Sequence, residues 1–295
     1  MRRRKVEESL PAQTRKLLRR FDLRPRKGLG QHFLIDVEVL EHIIQAAELK
    51  PSDIVMEIGP GLGILTRELA RKAGRVIAIE LDSKLADILK QTLASFNNVT
   101  IINEDILQIE PAALLQKTMG SPFSYKVVAN LPYYITSPVL RHFLEASVKP
   151  QIMVVMVQKE VAEAIVAKPG QMSLLSVSVQ FYGEPRIISY VPASCFYPAP
   201  EVDSAILRVD VYPQPAVAVD VESFFELVRA GFSLPRKQIC NSLAQGLGLP
   251  KAEVLSLLGK ADIVSQRRAE TLTLVEWARL WRVLRKRHAD GSGTG

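Results

Sequence analysis

Cysteine is nearly absent from this chain of 295 residues: Cys195 and Cys240 are the only two, far apart and with no CxxC spacing. That excludes a disulfide framework and gives no basis for a thiolate metal site; two reduced thiols in a cytoplasmic protein are expected. No uninterrupted apolar run approaches the roughly 18 residues a membrane helix needs. The charged start, MRRRKVEESL, is followed by no apolar stretch and does not read as a secretory leader. Internal repeats and low-complexity tracts are missing too. What remains is a chain that is 47% apolar, long enough for one sizeable core and a smaller second domain.

Charge is unevenly spread. The net value is +7, divided as +8 over residues 1–27, −8 over 28–228 and +7 over 229–295. An acidic body therefore carries two basic ends. One basic end alone reads as a solvated tail. Two on one chain favour a polyanion, through release of its condensed counterions.

Residues 1–27 read as a basic, partly disordered arm with a short helix near 14–20. From 28 to 212, strands and helices alternate. Apolar strands are expected at 53–58, 75–80, 99–103, 126–130 and 151–157, and helices at 64–72, 83–94, 138–146 and 161–167. Alternating segments at 173–182 and 205–211 read as a final pair of antiparallel edge strands. This βαβα rhythm with buried strands predicts a doubly wound, mostly parallel α/β sheet. Residues 213–219, within the proline-bearing YPQPAVAV, read as a linker. Helical spacing at 222–232, 236–245, 251–258 and 274–287 makes 220–288 a smaller, all-helical domain, with 289–295 a flexible tail. Nothing points beyond a monomer.

The segment EIGPGLG at 57–63 joins a strand to a helix. Glycines there let the backbone turn sharply and approach a ligand, beyond the carboxyl ends of the strands where open α/β sheets bind. The spacing from Gly59 through Gly61 to Gly63 is G-x-G-x-G. It is not the G-x-G-x-x-G that seats a pyrophosphate, so a nicotinamide cofactor is disfavoured. Glu80 ends the second strand, where a carboxylate can accept from ribose hydroxyls. Asp105 follows the third, where a carboxylate can accept from an adenine amino group. Together these describe a nucleoside held without a phosphate site, which fits S-adenosylmethionine.

Asn130-Leu131-Pro132-Tyr133 follows the fourth strand. The lone pair of adenine N6 is delocalised into its ring. Two acceptors can localise it by holding the amino hydrogens: the Asn130 side-chain oxygen and a backbone carbonyl, that of Leu131. Pro132 stiffens the turn, and Tyr133 offers a stacking face worth roughly 1–3 kcal/mol for one base. Asn130 accepts no proton at neutral pH, so no general base is expected and rate comes from alignment and electrostatics.

Several blocks in order carry a resemblance: KGLGQHFL at 27–34, EIGPGLG at 57–63, VIAIELD at 76–82, NLPYYIT at 130–136, QKEVAEAIVA at 158–167, FYPAPEVDSAIL at 196–207 and FSLPRKQICNSL at 232–243. Over residues 24 to 284 the chain resembles the ribosomal RNA adenine dimethyltransferases, above all the bacterial small-subunit type. The resemblance implies a Rossmann-like class I methyltransferase sheet and cofactor contacts from His32, Leu34, Gly59, Glu80, Asp105 and Asn130. It also implies that Phe196 sandwiches the target base against Tyr133. The implied substrate is two adjacent adenosines in the 3′-terminal hairpin loop of 16S rRNA, within the immature 30S subunit. An unpaired loop suits the chemistry, because stacking and pairing hide N6. Arg236, Lys237, Arg267 and Arg268 of the helical end, with Arg282, Arg285, Lys286 and Arg287, are candidates for flanking phosphates.

Two other readings compete. Large-subunit rRNA adenine methyltransferases of the macrolide-resistance kind typically read N-I-P-Y, where this chain has Leu131. A non-catalytic RNA-binding assembly factor would not need the intact Asn130–Tyr133 segment and glycine turn. A DNA adenine methyltransferase is disfavoured by the lack of an inserted target-recognition segment.

Overall fold

The computed structural model describes residues 9–26, 28, 30–120 and 124–291. Of the flexible tail expected at 289–295, residues 289–291 are helical and the rest lies outside the described residues, as do the first eight residues of the basic arm. The chain packs as two units: one runs to Ala162 and resumes over Pro185–Val211, and the other comprises Glu163–Glu184 and the chain from Tyr212 onward.

The first unit opens with α1 (Leu10–Arg20), then β1 (Phe33–Leu34) and α2 (Val37–Ala47). The doubly wound part follows as β2 (Ile54–Ile58), α3 (Ile64–Lys72), β3 (Arg75–Glu80), α4 (Ser83–Thr92), β4 (Val99–Asn103), α5 (Pro111–Met119), β5 (Tyr125–Asn130), α6 (Thr136–Leu144) and β6 (Ile152–Gln158). After α7 (Lys159–Ile165) come α8 (Leu174–Tyr182), β7 (Gly183–Val191), β8 (Phe196–Tyr197) and β9 (Ser204–Val211). The seven-stranded sheet has the order β4-β3-β2-β5-β6-β9-β7, with β1 and β8 forming a separate short pair. Strands β4, β3, β2, β5 and β6 are parallel, and β9 runs antiparallel to β6. The order reverses beside β2, since β3 lies on one side and β5 on the other. That reversal opens a crevice at the carboxyl ends of these strands.

Near-continuous apolar strands explain the central position of this sheet. Val55, Met56, Val76, Ile77, Val127, Val128, Val154 and Val155 are each fully buried. Each such side chain contributes about 1.5–3 kcal/mol relative to exposure. Caps fix where the covering helices start: Asp36 accepts from Val39 N, and Asp82 from Lys84 N and Leu85 N.

The expected strand at 173–182 is corrected by the structure: 174–182 is the helix α8, and the edge strand is β7. The alternation of Val177, Val179 and Phe181 mimics a half-buried strand. A capping box, in which the side chains of Ser173 and Ser176 each take up the other's backbone N–H, starts a helix instead. Tertiary packing completes it, with Phe181 stacked on Phe224 at a ring separation of 5.1 Å. Strand β7 alternates outward and inward and holds Pro185, which suits a sheet edge.

In the second unit α8 joins α9 (Val221–Phe232), α10 (Ile239–Leu247), α11 (Lys251–Lys260) and α12 (Leu274–Gly291). Its core includes Phe224, Leu243, Leu258 and the fully buried Trp277. Gly231 of α9 lies against the Trp277 ring, where any added Cβ would fall 2.3 Å from a ring carbon. This unit is all-helical as expected, but it is not continuous in sequence, because residues 163–184 belong to it. Among the described residues no helix is long and apolar enough to cross a membrane.

Candidate active site

A cavity of about 290 Å³ lies in the first unit. It opens at the carboxyl ends of β2, β3, β4 and β5, beside the point where the strand order reverses. The turn from β2 into α3 forms its floor. Gly59, Gly61 and Gly63 all have positive φ there, a region L-residues with side chains rarely adopt. At Gly61 a Cβ would stand 3.2 Å from the Phe33 ring, and at Gly63 only 2.8 Å from Leu89 Cδ2. The turn is held from the neighbouring strand: Gly61 N donates to Glu80 Oε2 at 3.0 Å, and Gly59 N to Ile79 O at 2.9 Å.

Glu80 is buried, and its other oxygen accepts from Asp82 N at 2.9 Å. Burial raises its pKa, partly offset by these two backbone donors. Each oxygen keeps a lone pair for a hydroxyl donor in the cavity. Asp105 also lines the cavity and caps a short turn by accepting from Leu107 N at 3.0 Å. Glu57 is the most buried acid here, at 2% exposure. Burial pushes its carboxyl up to about 8, the nearby Glu80 adding to the effect and Thr66 opposing it. Its Oε2 has no hydrogen-bond partner among the described residues. At neutral pH Glu57 is therefore largely protonated.

The opposite wall comes from the end of β5. Asn130 Nδ2 donates to His32 O at 3.1 Å, which leaves Oδ1 as the accepting end of the amide. Leu131 N donates to Met156 O at 3.2 Å, fixing the next peptide. Tyr133 is half-buried; its hydroxyl pairs with Ser204 Oγ at 2.7 Å, and burial raises its pKa. The His32 ring lies nearly parallel to Tyr133 at 6.0 Å. His32 Nδ1 is 2.7 Å from Pro198 O, so Nδ1 carries the proton and donates. Leu34 and Phe196 pair across the β1–β8 ladder and both face the cavity. Every residue expected at the cofactor and chemical sites thus lines one cavity.

A family model for ribosomal RNA adenine dimethylase matches residues 23–280. The chain belongs to that family. It is an rRNA adenine dimethyltransferase with a methyltransferase fold. It is 55% identical over 274 residues to a ribosomal RNA small subunit methyltransferase A of Dehalococcoides mccartyi, covering 92% of each chain. The protein of the same name from Alkaliphilus metalliredigens is 44% identical, covering 92% of this chain and 95% of that one. Among solved structures, the 23S rRNA methyltransferase ErmE is 30% identical with a TM-score of 0.68, over 86% of this chain and 99% of that one. A dimethyladenosine transferase from Plasmodium falciparum is 26% identical with a TM-score of 0.73, over 87% and 98%.

Within this family member, the basic residues expected to meet RNA divide in two. Arg236 and Lys237 are exposed ahead of α10, and Arg268 is exposed with Glu270 at 3.7 Å. Arg267 is half-buried and committed internally: it pairs with Glu276 and donates to Thr271 Oγ1 at 3.0 Å and Thr271 O at 2.5 Å. Its guanidinium is thus already engaged within the helical unit. Sequence reasoning missed Glu57, although it heads the glycine motif; attention to an acid inside an otherwise apolar strand would have found it. The tie between His32 and Asn130 had no sequence signal, because it runs through a main-chain oxygen.

Proposed function

We propose that the chain uses S-adenosylmethionine to dimethylate N6 of two adjacent adenosines in the 3′-terminal hairpin loop of 16S rRNA, within the immature 30S subunit. The observation that carries this reading is the orientation of Asn130. Its amide nitrogen is spent on His32 O, so its oxygen is the end presented to a ligand. With the Leu131 carbonyl, it offers two neutral acceptors for the two hydrogens of an exocyclic amine. Holding them there directs the nitrogen lone pair outward, and the preorganised pair costs no reorganisation during reaction. Tyr133 and Phe196 supply aromatic faces for the flipped ring. Asn130 takes no proton, so the amine's proton is left to water.

The pocket suits S-adenosylmethionine. Glu80 and Asp105 would accept from the ribose hydroxyls and the adenine amine, over the turn of Gly59 and Gly61, with His32, Leu34 and Asn130 completing the contacts. When bound, the cofactor supplies an electrophilic methyl carbon. The higher identity to small-subunit relatives than to the 23S methyltransferase, 55% and 44% against 30%, supports the choice of rRNA.

The test is incubation with labelled S-adenosylmethionine and immature small subunits from a strain lacking these methylations, followed by mapping of modified nucleosides. Two adjacent N6,N6-dimethyladenosines in the 3′-terminal loop are expected. No label in small-subunit rRNA, with label entering large-subunit rRNA in a parallel reaction, would overturn the reading.

A further inference from the structure

The basic N-terminal segment is not a loose tail where it is described. Helix α1 is anchored by one face: Thr14 and Leu18 are buried, Leu10 packs on the main core, and Leu17 and Leu23 pack around Phe33, Leu62 and Leu85. The following turn is tied down as well. Lys84 Nζ donates to Asp22 O at 2.9 Å, Arg26 pairs with Asp82 at 3.2 Å, and Arg26 N donates to Gln31 Oε1 at 2.9 Å. From there the chain runs directly into residues 30–34, which form one wall of the candidate active site.

The other face of α1 is basic. Arg15, Arg19 and Arg20 are exposed on it, Arg24 is exposed just beyond, and the helix contains no acid. An apolar face fixes the helix beside a pocket, every charge on the helix itself is positive, and an exposed acid, Asp22, follows it; the helix presents a positioned cationic surface.

The geometry points to α1 as a phosphate-binding surface that holds the RNA strand flanking the target adenosine as it enters the pocket. This rests on the reading of the substrate as RNA. Phosphate contacts of this kind set register and orientation without reading sequence. They also make affinity steeply dependent on salt.

The experiment compares the full chain with a variant carrying Arg15→Gln, Arg19→Gln, Arg20→Gln and Arg24→Gln. Each binds a labelled RNA hairpin whose loop holds two adjacent adenosines, across a salt series, and the affinity of each for S-adenosylmethionine is measured in parallel. Each lost phosphate contact lowers the slope of log affinity against log salt by about 0.7–0.9. The variant is therefore expected to lose about two or more units of slope and at least tenfold in affinity at low salt, with cofactor affinity unchanged. The same four positions as lysine are expected to keep most of the slope, because charge is retained. Equal slopes for wild type and the glutamine variant would overturn the proposal alone. So would a glutamine variant that loses binding only to anionic vesicles. A wild-type chain that binds no RNA would overturn both the proposal and the substrate reading.

Discussion

Glu57 and Glu80 are adjacent acids given different tasks by their surroundings. Glu80 has a backbone donor on each oxygen, whereas Glu57 has an oxygen with none. In an unfolded chain Glu57 titrates near 4.5; in the fold it titrates near 8. Between those values the folded protein holds a proton the unfolded chain has released, so stability falls as pH rises through that window. Urea midpoints of the cofactor-free protein should drop from pH 5 to pH 8, and Glu57→Gln should flatten that drop. An equal drop in the variant would show that Glu57 is not its source. For Glu80→Ala, loss of a charged acceptor predicts cofactor binding weakened by roughly 1.5–3 kcal/mol. The loss should be read by calorimetric titration, and an unchanged dissociation constant would remove Glu80 from the cofactor site.

At the scale of elements, the glycine turn concentrates the constraint. Gly63 combines a φ of +76° with a Cβ position 2.8 Å from Leu89 Cδ2. Gly63→Ala should therefore lower stability by about 1–3 kcal/mol, seen as a shifted denaturant midpoint; an unshifted midpoint would mean that α4 yields freely. This turn was legible from sequence, as were β3, β4 and α3, because buried parallel strands are apolar runs bounded by turn residues. So was the meeting of Gly59, Glu80, Asp105 and Asn130, since each ends or follows a strand of one parallel sheet. Helix α8 was not legible. Its Val-Ser-Val-Gln-Phe alternation has a strand's period, and the decision lay in Ser173, Ser176 and a distant phenylalanine cluster. The β1–β8 pair was equally hidden, being two residues long and joining positions more than 160 apart.

Taken whole, the molecule places positive charge on both units, but not every arginine faces outward. Arg267 with Glu276 is an internal tie, and its hydrogen bonds hold the Glu276 carboxyl down at about 2. That contribution is present above pH 4.5 and is lost as pH falls toward 2. Arg267→Ala should lower the thermal midpoint of the protein and weaken this acid sensitivity. Arg236→Ala with Lys237→Ala should leave the midpoint in place and reduce the salt slope of RNA binding by about one unit or more. The reverse pattern would exchange their roles. Composition counts cations, and only packing shows which are already paired within the protein.

The most direct measurement is the single-turnover rate of methyl transfer to immature small subunits by Asn130→Ala, with cofactor affinity determined on the same preparation. If the Asn130 oxygen steers the adenine amine, the rate at saturating cofactor falls by about 10²–10³, as for removal of one preorganised hydrogen-bonding group, a loss that adding more cofactor does not recover. A wild-type rate at saturating cofactor would contradict that role outright.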